Sequence, residues 1–134
     1  MTDYRLSHLA PGSDDPTICE LGQVWPEDVL DQPEWYCNRE ELGAVDVLRN
    51  CQNDPDRPVS VFRAVPPGTN WINAGDWVAL DVEWARNHAI QDDDEGNDWP
   101  VISVVVKARY VNTDGSSLAE FGYNGPSVQA SIVK

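Results

Sequence analysis

Residues 58–68 read Pro58-Val59-Ser60-Val61-Phe62-Arg63-Ala64-Val65-Pro66-Pro67-Gly68. Val59 to Val65 is rich in β-branched and aromatic residues and predicts a strand. Pro66-Pro67-Gly68 ends it. Arg63 is the only charged residue in the stretch. A guanidinium inside a strand is costly unless it reaches solvent or an anion. Its planar fork of donors suits a phosphate or a carboxylate. An outward-facing Arg on a half-exposed strand accounts for the same residue without a ligand, so both readings stand at this point.

Downstream, the strand pattern continues. Trp71-Ile72 and Asp76 to Leu80 are short strand candidates around a turn at Asn73-Ala74-Gly75. Val82 to Gln91 reads as a helix, with Trp84, Ala85, His88 and Ala89 at helical spacing. Asp92 to Asp98 is an acidic loop, and Val101 to Val106, the most apolar run, predicts a central strand. Asp114-Gly115 is a turn signal, and Ser127 to Val133 alternates weakly, as a closing strand would.

Upstream, residues 1–24 read as an irregular arm punctuated by Pro11, Gly12 and Pro16 and solvated by Asp14-Asp15. Pro26 suits the first turn of a short helix through Leu30, where its missing N–H costs nothing. Pro33 starts a second short turn through Tyr36. The clearest helix runs from Asn38 to about Cys51. Asn38 and Glu41 form a capping-box pair. Leu42, Val45 and Leu48 make one apolar stripe, widened by Ala44, Val47 and Cys51. The expected organisation is one α+β domain over 1–134: an arm (1–24), a helical part (25–57) and a sheet part (58–134).

The length of 134 residues and the 41% hydrophobic content suit one domain with its own core. The charge is less ordinary. The chain holds 23 acids against 9 bases, a net charge of -14, which excludes a phosphate-backbone binder and an anionic-membrane binder. Residues 1–57 are the more acidic part, with 13 acids and 4 bases. No apolar run approaches the roughly 18 to 20 residues of a membrane span. The polar start from Met1 to Pro16 predicts no secretory leader, hence a cytoplasmic protein. Self-repulsion favours a monomer.

Metal and nucleophile signatures fail. Cys19, Cys37 and Cys51 are odd in number and lack C-x-x-C spacing, which fits neither a disulfide framework nor a zinc site. His8 and His88 have no ligand-spaced neighbour. A calcium loop started at Asp92 puts Gly96 fifth and Ser103 twelfth, where a Gly sixth and a Glu twelfth are required. No G-x-S-x-G, phosphate-cradling Gly-rich loop or Cys–His signature is present.

Three blocks resemble the small ADP-ribosyltransferase-like proteins of actinobacterial phages and prophages. The first is Phe62-Arg63-Ala64-Val65-Pro66-Pro67-Gly68, similar to a Tyr-Arg-Ala-Val-Pro strand. The second is Ile72-Asn73-Ala74-Gly75-Asp76-Trp77-Val78, followed by a helix ending Ala85-Arg86-Asn87-His88. The third is Asp114-Gly115-Ser116-Ser117-Leu118-Ala119-Glu120-Phe121-Gly122-Tyr123, similar to an Asp-Gly-Asn-Ser-x-x-Glu-Trp-Gly-Tyr turn. Tyr4 to His8 and Pro26 to Tyr36 are compatible. The blocks span residues 59–124, about half of the chain.

The resemblance implies a split β-sheet fold with N-terminal helices that grips NAD in a cleft. It implies NAD-phosphate or ribose contacts for Arg63, with Ala64, Trp77 and Tyr123 as further cofactor-site residues. It gives Glu120 the catalytic contact to the nicotinamide ribose, with Phe121 or Tyr123 packed near the nicotinamide. The expected partner is a host protein. The chain departs from the family pattern Trp-Val-Thr-x-Ser, reading Trp77-Val78-Ala79-Leu80-Asp81. Both hydroxyls are gone, and strand pairing would bring Asp81 near Glu120, where a second carboxylate repels NAD. Leu118 stands where transferases that modify Arg carry an acid. Two functional expectations follow, beside the plain alternative of an acidic domain whose charge serves solubility alone. One is a phage mono-ADP-ribosyltransferase. The other is a catalytically degenerate acidic protein that inhibits a host protein, at a basic surface meant for nucleic acid. The cleft electrostatics would rest on Arg63, Arg86 and Arg109.

Overall fold

The structure is a computed structural model that describes residues 10–90 and 94–133. Tyr4 to His8 and the Asp92-Asp93 part of the acidic loop lie outside the described residues. Among the described residues the strands are β1 (Pro58–Ala64), β2 (Trp71–Ile72), β3 (Asp76–Ala79), β4 (Val101–Lys107), β5 (Val111–Asn112), β6 (Glu120–Tyr123), β7 (Val128–Gln129) and β8 (Ser131–Ile132). The α-helices are α1 (Val45–Asn50) and α2 (Val82–Ala89). The strands form a six-stranded antiparallel sheet ordered β5-β6-β3-β1-β4-β8 and a second sheet of β2 and β7. The fold is mixed α+β with few helices.

β1 organises this sheet. It pairs with β4 from Pro58↔Lys107 to Ala64↔Val101. Alternation then sorts its side chains onto two faces. Val59, Val61 and Val65 join the main core with Ile102, Val78, Phe121 and Tyr123, under Ile18, Leu21 and Leu48. Phe62 and Ala64 face the other way, into a smaller cluster with Ala79, Val101, Trp84, Ala85 and Ala89. α2 supplies the lid of that cluster. Ala85 and Ala89, one helical turn apart, have no bulk to hold the helix off the sheet. Asp81 caps α2, its side chain accepting from Glu83 N at 3.3 Å. Glu83 in the first turn and Arg86 and His88 in the last suit the helix dipole.

β1 and β3 meet at a single register pair, Phe62↔Ala79. β3 continues along β6 from Asp76↔Tyr123 to Ala79↔Glu120. The two middle strands therefore part beyond Phe62, on the Arg63 side.

Several local expectations change. The helix from Asn38 is a 3-10 helix, Arg39–Ala44, running into α1. The Asn38–Glu41 capping box is present. Gly43 weakens the α conformation within this stretch. Pro26 to Leu30 forms turns in place of a helix, with Val29 N donating to Pro26 O at 3.1 Å. The Asp114 to Tyr123 block ends in strand β6, and the short β5 carries no turn or alternation signal. Ser127 to Val133 serves both sheets: β7 pairs with β2 and β8 with β4. β4 is interior, between β1 and β8, while β3 and β1 hold the middle.

Residues 10–17 are irregular but bound in place, and the expected arm to residue 24 is broken by a 3-10 helix, Ile18–Gln23, capped by Thr17. Asn124 Nδ2 donates to Pro11 O at 2.8 Å, Asn112 Nδ2 to Asp15 O at 2.7 Å, and Thr113 N to Pro16 O at 2.9 Å. Ile18, Cys19 and Leu21 then enter the main core. This strap covers the β5–β6 side of the sheet.

Candidate functional site

Where β1 and β3 part, a cleft of about 300 Å³ opens beneath α2. Four elements line it: Phe62, Arg63 and Ala64 of β1; Trp77, Val78 and Ala79 of β3; Trp84, Ala85 and His88 of α2; and Glu120 of β6. Four of the five residues singled out for the site, Arg63, Ala64, Trp77 and Glu120, therefore border one cleft.

Arg63 belongs by alternation to the main-core face of β1. Its guanidinium instead crosses the gap left by β3. Nη1 donates to Trp77 O at 2.7 Å, and Nε lies 4.0 Å from Asp76 Oδ2. The side chain is 24% exposed, which rules out the outward-facing surface arginine. Asp76 is held by its own turn, its Oδ2 accepting from Asn73 N at 2.8 Å. Gly75 provides the positive φ of +94° that this turn requires.

Glu120 starts β6. Ser117 Oγ fixes its entry, accepting from Ala119 N at 2.9 Å and from Glu120 N at 3.2 Å. The carboxylate meets two groups of α2 through one oxygen. Trp84 Nε1 donates to Oε1 at 3.2 Å, and His88 Nε2 lies 3.1 Å from the same atom. His88 is itself fixed. Its Nδ1 lies 2.9 Å from Trp84 O, and its ring lies 4.9 Å from the Trp84 ring at a 37° tilt.

The remaining residues of interest lie elsewhere. Tyr123 is fully buried, its hydroxyl donating to Pro126 O at 2.5 Å and its ring edge-on to Tyr110. Burial and the neighbouring Tyr110 hold its phenol above the ordinary value. It supports the sheet and does not line the cleft. Phe121 is also in the main core. Asp81 is not the second carboxylate of the cleft. β3 ends at Ala79, and Asp81 turns to cap α2 against Gly43. Arg86 pairs with Glu83 at 2.6 Å and Arg109 with Asp56, so neither joins Arg63. Among the described residues, no group of three His, Cys, Asp or Glu side chains gathers as for a metal.

Trp84 and His88 were not singled out for the site from the sequence. Their signal was present: a Trp and a His four residues apart fall on one helix face, directly after the strand that borders Arg63. The cleft carries the Arg63 guanidinium, paired with Asp76, on one side, the Glu120 carboxylate on another, and aromatic walls from Phe62, Trp77 and Trp84. That combination suits a ligand that pairs an anionic group with an aromatic ring. Comparison of the chain with family models, with curated proteins and with solved structures finds no match.

Proposed function

We propose that the cleft binds NAD and that the protein transfers ADP-ribose from it to a host macromolecule, on an ADP-ribosyltransferase-like split sheet. The observation that carries this reading is the convergence of Arg63 and Glu120 on one cleft, from separate strands of the sheet. Arg63 would face the NAD phosphates or ribose, and the indole walls would take the nicotinamide. The Glu120 carboxylate would accept from the ribose and stabilise positive charge as the bond to nicotinamide breaks. Preorganised charge of this kind is commonly the largest catalytic contribution.

Of the departures from the family pattern, Asp81 reads differently once placed and Leu118 does not. Asp81 does not line the cleft, so its charge does not stand beside Glu120 to repel NAD. Leu118, fully buried, supplies no acid two residues before Glu120 to activate a guanidinium, which counts against an arginine acceptor. The protein would act in the bacterial cytoplasm, as a monomer, on a host protein.

The test is transfer of labelled NAD into bacterial host lysate, beside Glu120→Gln. A labelled band that disappears in the variant supports the reading. Equal labelling by both proteins overturns it.

A second reading has its own observation. Trp35 is 67% exposed, and Glu27, Asp31 and Glu34, close to it in sequence, are exposed too. An exposed indole in an acidic stretch of sequence suits docking onto a basic host surface. Binding of such a partner should weaken steeply with salt. A partner held equally well at high salt would count against it.

A further inference from the structure

Ala79 lies directly across from Glu120 in the β3–β6 register. Directly opposed residues place their Cβ atoms about 4.5–5.5 Å apart, within reach of a polar side chain. Ala79 has none to offer, and it is 4% exposed, so little water reaches that side of the carboxylate. Glu120 itself is only partly exposed, with its side chain at 32%. An unsupported carboxylate in such a place would be free to turn among rotamers. Helix α2 prevents this. Its Trp84 Nε1–H and, with protons on both ring nitrogens (Nδ1–H to Trp84 O, Nε2–H to Glu120), its His88 ring converge on Oε1, at 3.2 and 3.1 Å. Both contacts fall on Oε1, and Glu120 lines the cleft, so one carboxylate oxygen is tied from α2 while Oε2 is not held by that helix.

We infer that Trp84 and His88 are the positioning residues of the reaction, holding the Glu120 carboxylate from α2 where β3 supplies no hydroxyl. This rests on the transferase reading above. Neither residue has to touch the reacting atoms; each acts through Glu120. Their own geometry fits the task. The two rings pack on each other, and His88 Nδ1 is tied to Trp84 O, so the donors move as one body. Asp81 and Glu83 hold the start of the same helix, and the Ala85–Ala89 face seats it on β1 and β3. The clamp is therefore fixed to the sheet that carries Glu120.

The test is NAD turnover, read as nicotinamide release, in folded full-length variants. Each hydrogen bond to a charged group accounts for about 10- to 100-fold in a population or a rate. His88→Ala and Trp84→Phe should each lower kcat by about that factor, with KM for NAD within about twofold of wild type. His88→Gln, which keeps a donor near the Nε2 position, should recover most of the loss. Ala79→Ser introduced into His88→Ala should restore part of the rate by supplying a hydroxyl from β3, an effect that repair of folding would not produce. A second readout needs no turnover. The Trp84 indole N–H resonance, assigned by its loss in Trp84→Phe, should shift in Glu120→Gln.

Full activity in His88→Ala and Trp84→Phe, beside an active wild type, overturns the inference and leaves the functional reading standing. An equal loss in His88→Gln and His88→Ala, with no rescue by Ala79→Ser, also overturns it. A wild type that releases no nicotinamide overturns both. An indole resonance indifferent to Glu120→Gln refutes the clamp itself.

Discussion

Gly122→Ala should destabilise the fold by about 2–4 kcal/mol. Gly122 sits inside β6, opposite Trp77 on one side and Asn112 on the other. A Cβ there would stand 2.0 Å from Pro11 O, 2.9 Å from Pro11 C and 3.0 Å from Pro11 N. All three are backbone atoms, so no side chain can swing away to make room. The strap must lift from the sheet. Overpacking of this kind costs about 1–3 kcal/mol. Lifting Pro11 also breaks the Asn124 Nδ2 bond to its carbonyl, 2.8 Å long, for about another 1 kcal/mol. The assay is urea unfolding followed by tryptophan fluorescence, with the midpoint falling at constant slope. Gly12→Ala is the matched control. Nothing lies within 4 Å of the added carbon, and Gly12 is not among the positive-φ residues, so it should stay within about 0.5 kcal/mol of wild type. A Gly122→Ala protein as stable as that control would refute the docking of the strap on β6.

Asp81→Ala should cost about 1 kcal/mol of stability through the lost cap of α2, with no gain in NAD affinity. Tighter NAD binding, read by calorimetry, would mean that Asp81 charges the cleft after all. Cys51 gives an alkaline signature. Burial, and then the neighbouring Cys19, push its thiol up to about 12, so between the unfolded value of about 8.5 and that point only the unfolded chain has lost the proton. Stability should fall as pH rises through this window, by at most about 1.4 kcal/mol per unit from this one group. Denaturant melts from pH 8 to 11 on wild type and Cys51→Ala check it, and equal slopes would contradict it. Under native alkylation the partly exposed Cys37 should react before the buried Cys19 and Cys51. Peptide mapping would reveal the reverse order.

Much of the architecture was legible because local chemistry and tertiary context agree there. β1, β3 and β4 lie where β-branched and apolar runs place them, and the capping pair Asn38–Glu41 marks the start of its helical segment. The misses share one cause. β5 is two residues long and exists because β6 and the Thr17 bridge to Asn112 give it partners. The arm from Pro11 looked solvated by Asp14-Asp15, yet its backbone carbonyls are taken by Asn112 and Asn124, about 100 residues away in the chain. Side-chain amides that reach distant carbonyls leave no periodic trace. At the site, Arg63 was readable as the one charge in an apolar strand. Its partner, Trp77 O, follows from the parting of β1 and β3, which only the register reveals. Continued along β3, the sequence sets Asp81 beside Glu120. The strand stops at Ala79, two residues short, and Asp81 caps α2 instead. Trp84 and His88 read as ordinary helix positions until the helix is laid across the sheet.

The most direct test of the central claim is nicotinamide release from NAD, followed by proton NMR for wild type, Arg63→Ala and Glu120→Gln at matched fold stability. The account predicts release by wild type, weaker NAD binding in Arg63→Ala, and a chemical step abolished in Glu120→Gln with binding retained. Intact NAD in all three samples, with no shift in any protein resonance on titration, would contradict it.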